Sequence, residues 1–150
     1  MDIRNGRLED ASTVAALLEQ PGYSETARCT KDKLRQLISH PDALFLVAVD
    51  NTDKVLGFVS AHFILQLGLA GDFCRISYFC VDQQSRSSGI GRLLEASVVT
   101  AAQKRGCDHI EVHCHIRRDR AHSFYARQGY IEDPKYLLKK LPTATHLAPE

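Results

Sequence analysis

Apolar positions change their spacing along the chain, and each change predicts a different element. The stretches 9–20 and 30–40 place apolar residues three or four positions apart, the spacing of amphipathic helices with one buried face. Residues 43–50 and 54–65 are nearly continuous apolar runs joined by a short polar link, which predicts a β-hairpin. Two helices therefore separate this hairpin from residues 1–8, which are predicted to form a short first strand.

The second half of the chain alternates strands and helices. The predicted elements are a strand over 73–81, a helix over 92–106, a strand over 109–116, a helix over 120–128 and closing strands over 130–132 and 135–141. The full order is then β α α β β β α β α β β. Because helices separate only some of the strands, we expect a mixed α/β (α+β) fold with a mixed, mostly antiparallel sheet. A single domain is expected over 1–141, with 142–150 as a frayed tail.

Composition narrows the possible partners. The 150 residues are 44% hydrophobic, which is enough for a core of their own. The 19 Lys and Arg residues nearly balance the 18 Asp and Glu residues, so no long-range field favours a nucleic-acid or membrane partner. No apolar run approaches the ~20 residues that span a bilayer, and the N-terminus lacks a signal-peptide core. We expect a cytoplasmic protein with a small-molecule or local protein target.

Cysteine usage indicates little chemistry. The cysteines are Cys29, Cys74, Cys80, Cys107 and Cys114. They are odd in number, contain no C-x-x-C pair and lie partly inside apolar runs, so we expect buried, reduced thiols rather than a disulfide framework or a zinc site.

The segment VDQQSRSSGIGRLLEA, residues 81–96, places two glycines between a strand and a helix. Such a loop can hold an anion on backbone N–H groups, although a purely structural turn would show the same pattern. It is not a P-loop, because Gly91 is followed by Arg92 and Leu93. It also lacks the third glycine of the dinucleotide-binding fingerprint. The sequence therefore points to a different phosphate-containing ligand.

Two motifs carry a family resemblance. RSSGIG, residues 86–91, resembles the R/Q-x-x-G-x-G/A signature of the GNAT family of N-acetyltransferases, which bind acetyl-CoA. RDRAHSFYARQGY, residues 118–130, is similar to the family's N-x-x-A-x-x-x-Y-x-x-x-G-F/Y segment. The resemblance implies a GNAT fold, with a six- to seven-stranded sheet and about four helices. Within the family, the chain is most similar to small bacterial enzymes that acetylate aminoalkylphosphonates and, less closely, aminoglycosides.

The resemblance also implies where acetyl-CoA binds. Its pantetheine arm would lie along the strand 73–81 like an added strand, and its pyrophosphate would rest on N–H groups of the following loop. The implied cofactor-binding residues are Phe79, Cys80, Val81, Arg86, Ser87, Ser88, Gly89, Ile90, Gly91, Arg92 and Arg118. Arg118 departs from the Asn that many relatives have there, and Arg86 has the alternative of being a solvated loop charge.

Acetyl transfer to an amine needs a base and an acid. An alkylamine with a pKa of about 10.4 is neutral only about once in 2,500 molecules at pH 7, so a base is valuable. Tyr125 matches the family's general acid, and its phenol pKa of about 10 suits proton transfer to a thiolate. A packed aromatic residue is the alternative interpretation of Tyr125.

The base is less clearly marked. Period-two alternation over 109–116 places one polar face along the strand, with Ile110, Val112, Cys114 and Ile116 on the opposite face. The polar face carries His109, Glu111, His113 and His115. His113 and Glu111 are the leading candidates for the base, followed by His115; solvated or hydrogen-bonded side chains are the alternative. His113 and His115 could also chelate a metal, but no third ligand lies nearby in the sequence, and we expect no metal.

The resemblance therefore implies an acetyl-CoA-dependent N-acetyltransferase acting by direct attack of the primary amine of a small molecule. The acceptor site would be built from the loops around residues 19–29 and 64–72. The alternatives are a non-catalytic acyl-CoA-binding or sensing module and a protein N-acetyltransferase. The resemblance also suggests a homodimer.

Overall fold

The computed structural model describes residues 1–20, 30–114, 118–133 and 136–142, which belong to two compact units, Met1–Cys114 and His115–Glu150. The elements of the first unit are β1 (Asp2–Asn5), α1 (Ala11–Glu19), α2 (Thr30–Ser39), β2 (Ala43–Val49), β3 (Val55–Ile64), β4 (Phe73–Val81), α3 (Ile90–Lys104) and β5 (His109–Val112). The second unit contains α4 (Asp119–Arg127). None of the helices within these ranges combines the length and the apolar character that crossing a bilayer requires.

The first unit is built on one sheet with the strand order β1-β2-β3-β4-β5. Neighbouring strands are antiparallel except for β4 and β5, which are parallel. A parallel pair needs a crossover connection, and α3 supplies it. The expected mixed, mostly antiparallel sheet is confirmed.

Both faces of the sheet are covered by helices. The face that packs on α1 and α2, called here the α1/α2 face, buries Val14, Leu17, Leu18, Leu34, Phe45, Val47, Val49, Val55, Phe58 and Cys80. The opposite α3 face buries Leu46, Ala48, Val59, Ala61, Cys74, Ile76, Ile90, Leu94, Val98 and Ala102. Four of these residues recur at every fourth position of α3, which is the spacing that aligns side chains along one side of a helix. Because successive side chains of a strand point to opposite faces, those not buried under a helix are available to form a binding or catalytic site.

The strand count differs from the expectation. The described residues form five strands rather than six or seven, since 130–133 and 136–142 carry no strand. Two closing strands were predicted there, yet Ile131, Leu137 and Leu138 are exposed. A strand exists only through a hydrogen-bonded ladder to a neighbour, and no ladder within the described part of the chain includes these residues.

Two aspartates near helix starts make no side-chain cap. Asp119 lies inside the first turn of α4, with Arg118 at the N-cap position. Asp10 precedes α1 but makes no side-chain cap, because its carboxylate accepts two hydrogen bonds of 2.9 Å from the guanidinium of Arg4. Gly106 and Gly129 follow the ends of α3 and α4 at positive φ angles of 73° and 90°, a conformation in which glycine commonly ends a helix.

The cysteines in the described residues are free thiols. Cys74 and Cys80 are buried, and Cys107 and Cys114 are half-buried; Cys29 lies outside the described residues. Burial, with a smaller contribution from Cys107, raises the pKa of the Cys74 thiol to about 12, so it is not a nucleophile at neutral pH.

Candidate active site

The loop between β4 and α3 has an unusual backbone. A single turn of 3-10 helix, Gln83–Ser85, is followed by Ser87 at φ 68° and Gly89 at φ 84°. Glycine adopts this left-handed conformation without steric cost, whereas serine is strained in it. Apart from Gly89 and its two chain neighbours, no atom of the described residues lies within 4 Å of a Cβ built on Gly89. The space beside Gly89 is therefore open to a ligand.

The loop leads into the N-terminus of α3. The N–H of Leu93 donates to the carbonyl of Gly89 at 3.1 Å, whereas the N–H groups of Ile90, Gly91 and Arg92 precede the first possible intrahelical acceptor. Gly89 at the N-cap has no side chain to satisfy them. These groups and the positive end of the helix dipole suit an anion.

Side chains around the loop reinforce this character. Arg86, Ser87, Ser88 and Arg92 are exposed, and the arginines carry positive charge toward solvent. Ile90 is different, because its side chain is buried in the core and only its main chain remains for a cofactor. The loop thus offers an anion main-chain N–H groups together with nearby positive charge.

A residue that the sequence did not single out fixes the base of the loop. The side-chain amide of Gln20, just beyond α1, donates to Asp82 Oδ1 at 2.9 Å, and its Oε1 accepts from the N–H of Gln83 at 3.1 Å. The N–H of Asp82 donates to the carbonyl of Leu56 at 2.9 Å. Gln20 therefore ties the end of α1 to the start of the loop. A lone glutamine after a helix carries no sequence signal of such a role.

β4 contains a bulge, which the sequence also did not reveal. Ser60 of β3 pairs with Tyr78 and Ala61 pairs with Ile76, so Ser77 is an extra residue of β4. The Ser77 hydroxyl donates to the carbonyl of Ser60 at 3.1 Å. Bulges bend a strand and redirect its side chains, and they occur often beside active sites.

The three β4 residues assigned to pantetheine follow this bulge. Phe79 is half-buried, Cys80 is buried on the α1/α2 face, and Val81 ends the strand. The parallel ladder to β5 ends at the pair Ile76 and Val112, whereas β4 continues to Val81.

β5 is shorter than predicted. It ends at Val112 rather than Ile116, because the ladder partner on β4 bulges directly after Ile76. Residues 113 and 114 are not strand, and His115 lies outside the described residues. Within the strand the predicted alternation is confirmed, since Ile110 and Val112 pack on the α3 face.

The two base candidates lie close together at the end of β5. Glu111 Oε1 is 3.9 Å from His113 Nε2, and Glu111 Oε2 is 3.6 Å from His109 Nε2. Glu111 is also ion-paired with Arg75 of β4, whose Nε donates to Oε1 at 2.6 Å. The register of the two strands brings this pair together. Arg75 was not among the predicted site residues.

Tyr125 and Arg118 belong to the second unit. Arg118 is exposed at the N-cap of α4. Tyr125 is buried, and its ring meets those of Phe124 and Tyr130 edge-on, with centroid distances of 5.2 and 5.3 Å. This packing fixes the phenol ring and is compatible with either a structural or a catalytic role.

The described residues contain no cluster of side chains suited to bind a metal ion. Within residues 1–20, 30–114, 118–133 and 136–142, no group of three or more His, Cys, Asp or Glu side chains is arranged to hold a metal ion. His115, the alternative chelating partner of His113, lies outside the described residues.

Comparison with known proteins places this geometry in a family. The sequence model of the acetyltransferase (GNAT) family matches residues 11–130. An aminoalkylphosphonate N-acetyltransferase of Salmonella typhimurium is 28% identical over 130 residues, which cover 86% of this chain and 84% of that protein.

Solved structures share the fold. An aminoglycoside N-acetyltransferase in complex with CoA has a TM-score of 0.81 at 13% identity, with 93% of each chain covered. A ribosomal-protein-alanine N-acetyltransferase from Brucella melitensis has a TM-score of 0.76 at 18% identity, with 94% of this chain and 100% of that chain covered. The chain belongs to the acetyltransferase (GNAT) family, and it is an acetyl-CoA-dependent N-acetyltransferase.

Proposed function

We propose that this enzyme acetylates the primary amine of a small molecule related to the aminoalkylphosphonates or aminoglycosides. The observation that carries the proposal is the exposed loop before α3, where a left-handed Gly89 leaves open space beside the helix N-terminus. The similarity to an aminoalkylphosphonate N-acetyltransferase supports the acceptor class.

Main-chain groups bind the cosubstrate in this proposal. N–H groups from Ser87 to Arg92 hold the pyrophosphate, with Arg86 and Arg92 adding charge. The backbone of Phe79 to Val81 pairs with the pantetheine arm as an added strand, and Arg118 contributes from α4. Because the arm runs antiparallel to β4 from this loop, its thioester end lies toward the bulge at Ser77.

Two groups move protons in this proposal. His113 takes the proton of the attacking amine, and Glu111, 3.9 Å from its Nε2, orients that imidazole while itself held by Arg75. Tyr125 protonates the departing thiolate, because a phenol and a thiol have similar pKa values. The amine attacks directly, without an acyl-enzyme. We further propose that the enzyme is a bacterial, cytoplasmic homodimer without a nucleic-acid or membrane partner.

The test is thiol release from acetyl-CoA across aminoalkylphosphonates, aminoglycosides, polyamines, amino acids and a lysine peptide. We expect turnover on one small-amine class and a loss of kcat of at least about tenfold in Tyr125→Phe, because general acid catalysis typically contributes about 10²–10⁴-fold. Tyr136→Phe alters an exposed tyrosine of the same unit and is expected to leave kcat unchanged.

Three outcomes would contradict the proposal. Acetyl-CoA binding without turnover of any acceptor would support a sensing module. Turnover of the lysine peptide alone would identify a protein N-acetyltransferase. Full kcat in Tyr125→Phe would leave Tyr125 as a packing residue.

A further inference from the structure

A row of polar side chains crosses three strands on the α1/α2 face. His62 of β3 is in register with Arg75 of β4, and Arg75 is in register with Glu111 of β5. Residues paired in register point to the same face, so the three side chains lie side by side. The end of the α1/α2 face formed by these three residues is polar and charged. The rest of that face consists of the apolar residues that pack on α1 and α2.

The guanidinium of Arg75 is held in place yet accessible. Its Nε and Nη2 both contact Oε1 of Glu111. Its Cζ lies 5.5 Å from the centroid of the Phe73 ring, over the ring face. Phe73 in turn stacks on His109 at 5.1 Å, nearly parallel. The side chains of Arg75 and Glu111 keep 41% and 31% of their exposure. A solute can therefore reach a preoriented charge pair.

One bidentate edge of this guanidinium remains available. An arginine has a side edge formed by Nε and Nη2 and an end edge formed by Nη1 and Nη2. Glu111 occupies the side edge. Nη1 makes no hydrogen bond or ion pair with any residue of the described ranges. The end edge thus has the donor geometry for a second carboxylate or a phosphonate.

Arg75 also lies where an acceptor must approach. It precedes the bulge at Ser77, and at ~3.3 Å per residue its Cα is about 13 Å along β4 from that of Phe79. The proposed pantetheine arm ends toward this part of β4. An amine that reaches the thioester therefore brings its remaining groups beside Arg75.

We infer that Arg75 is the specificity-determining residue of the acceptor site, binding an acidic group of the acceptor through its end edge. This inference rests on the proposed acetyl transfer. The amine is presented to His113 beside Glu111, and because Arg75 and Glu111 touch, the amine and the acidic group lie only a few bonds apart. The acceptor is then a short amino acid of the phosphonate or carboxylate type. Polyamines and aminoglycosides offer Arg75 only cationic or neutral groups.

Steady-state kinetics with matched acceptors tests the inference. The acceptors are 2-aminoethylphosphonate, β-alanine and ethanolamine, which share the amine and differ in the distal group. We expect Arg75→Gln to raise the KM for the preferred acidic acceptor by about tenfold or more, the loss of a charge-assisted hydrogen bond. The KM values for ethanolamine and acetyl-CoA are expected to stay within about twofold, whereas kcat is expected to fall alike for all three acceptors because Glu111 loses its partner. Arg75→Lys is expected to restore part of the affinity for the acidic acceptor.

Arg35→Gln is the matched control, because Arg35 is an exposed arginine of α2 paired only with Asp32 among the described residues. It is expected to behave as the wild type. The ratio of 2-aminoethylphosphonate to β-alanine activity distinguishes a phosphonate from a carboxylate substrate.

Equal wild-type KM values for ethanolamine and both acidic acceptors would overturn the inference, as would an Arg75→Gln variant with unchanged KM values. If the wild type acetylates nothing, calorimetry with CoA and 2-aminoethylphosphonate or β-alanine decides. Binding of either that depends on Arg75 would retain the inference although acetyl transfer has failed. Absence of Arg75-dependent binding would reject it.

Discussion

Gly89 is the residue where backbone conformation and ligand access coincide. Its φ of 84° costs an alanine ~1–2 kcal/mol, and beyond the two chain neighbours no atom in the described part of the chain lies within 4 Å of the added Cβ. The methyl group would instead project into the space assigned to pyrophosphate. For Gly89→Ala we expect a rise of about tenfold in the KM for acetyl-CoA with little change in kcat, since the lost contact is equally present in ground and transition states. Initial-rate kinetics and urea unfolding measure the two effects.

Gly106 provides a matched control at the other end of α3. Its φ is 73° and its Cβ position is equally open, so Gly106→Ala carries similar strain away from the loop. We expect comparable destabilisation and an unchanged KM. A rise in KM of the same size in both variants would show that strain, rather than ligand contact, explains the effect.

At the scale of elements, the Arg4–Asp10 pair joins β1 to the start of α1. The Asp10 carboxylate accepts both guanidinium bonds from Arg4 and a 2.8 Å bond from the N–H of Arg7. Burial alone would raise its pKa, but the hydrogen bonds from Arg4 and Arg7 outweigh burial and hold the pKa below the ordinary aspartate value. The pair's stabilisation is therefore present above the unfolded-state pKa of about 3.9 and is lost as pH falls through the lower folded-state pKa.

We expect Asp10→Asn to lower the free energy of unfolding at pH 7 by about 1–3 kcal/mol, the usual loss at a buried hydrogen-bonded group. The variant should also lose less stability than the wild type between pH 5 and pH 2. Denaturant titrations across this range measure both effects. Asp32→Asn, which removes an exposed helix pair with Arg35, should change stability by less than about 0.5 kcal/mol. If the free energy of unfolding fell by the same amount between pH 5 and pH 2 in wild type and Asp10→Asn, the stabilising role of the Arg4–Asp10 pair would be contradicted.

Local patterns were sufficient for most elements. The range predicted for β4 matches the strand, and the helices predicted over 92–106 and 120–128 are present as α3 and α4, with ends that differ by one or two residues. The predicted strands were wrong where pairing with a neighbouring strand determines whether a strand forms and where it ends. β5 ends early because β4 bulges at Ser77, and residues 130–132 form no strand although one was predicted there. A bulge depends on cross-strand register, which a single segment does not encode.

For the whole molecule, the parts of the site that depend on local sequence could be predicted, and the parts that depend on contacts between distant elements could not. The loop at 86–91 could be predicted from its contiguous motif, because the conformation that requires glycine is a property of the loop itself. The pair of Arg75 and Glu111 arises only when β4 and β5 align, and the tie from Gln20 to Asp82 only when α1 meets the loop. Each joins residues distant in sequence, so neither spacing nor composition could predict them.

The net charge of the whole chain is only +1, so binding of the polyanionic acetyl-CoA has to depend on local contacts. A ligand that binds only the native state stabilises it by ~2.7 kcal/mol at a concentration of 100 Kd, which corresponds to a rise in Tm of about 5–10 °C for a chain of this size. We expect this shift with acetyl-CoA in thermal unfolding of the wild type. The shift should be smaller in Gly89→Ala at the same concentration but of similar size in Gly106→Ala. Pantetheine, which lacks the pyrophosphate, should produce little shift. Equal shifts with pantetheine and acetyl-CoA would place the main binding energy outside the loop before α3.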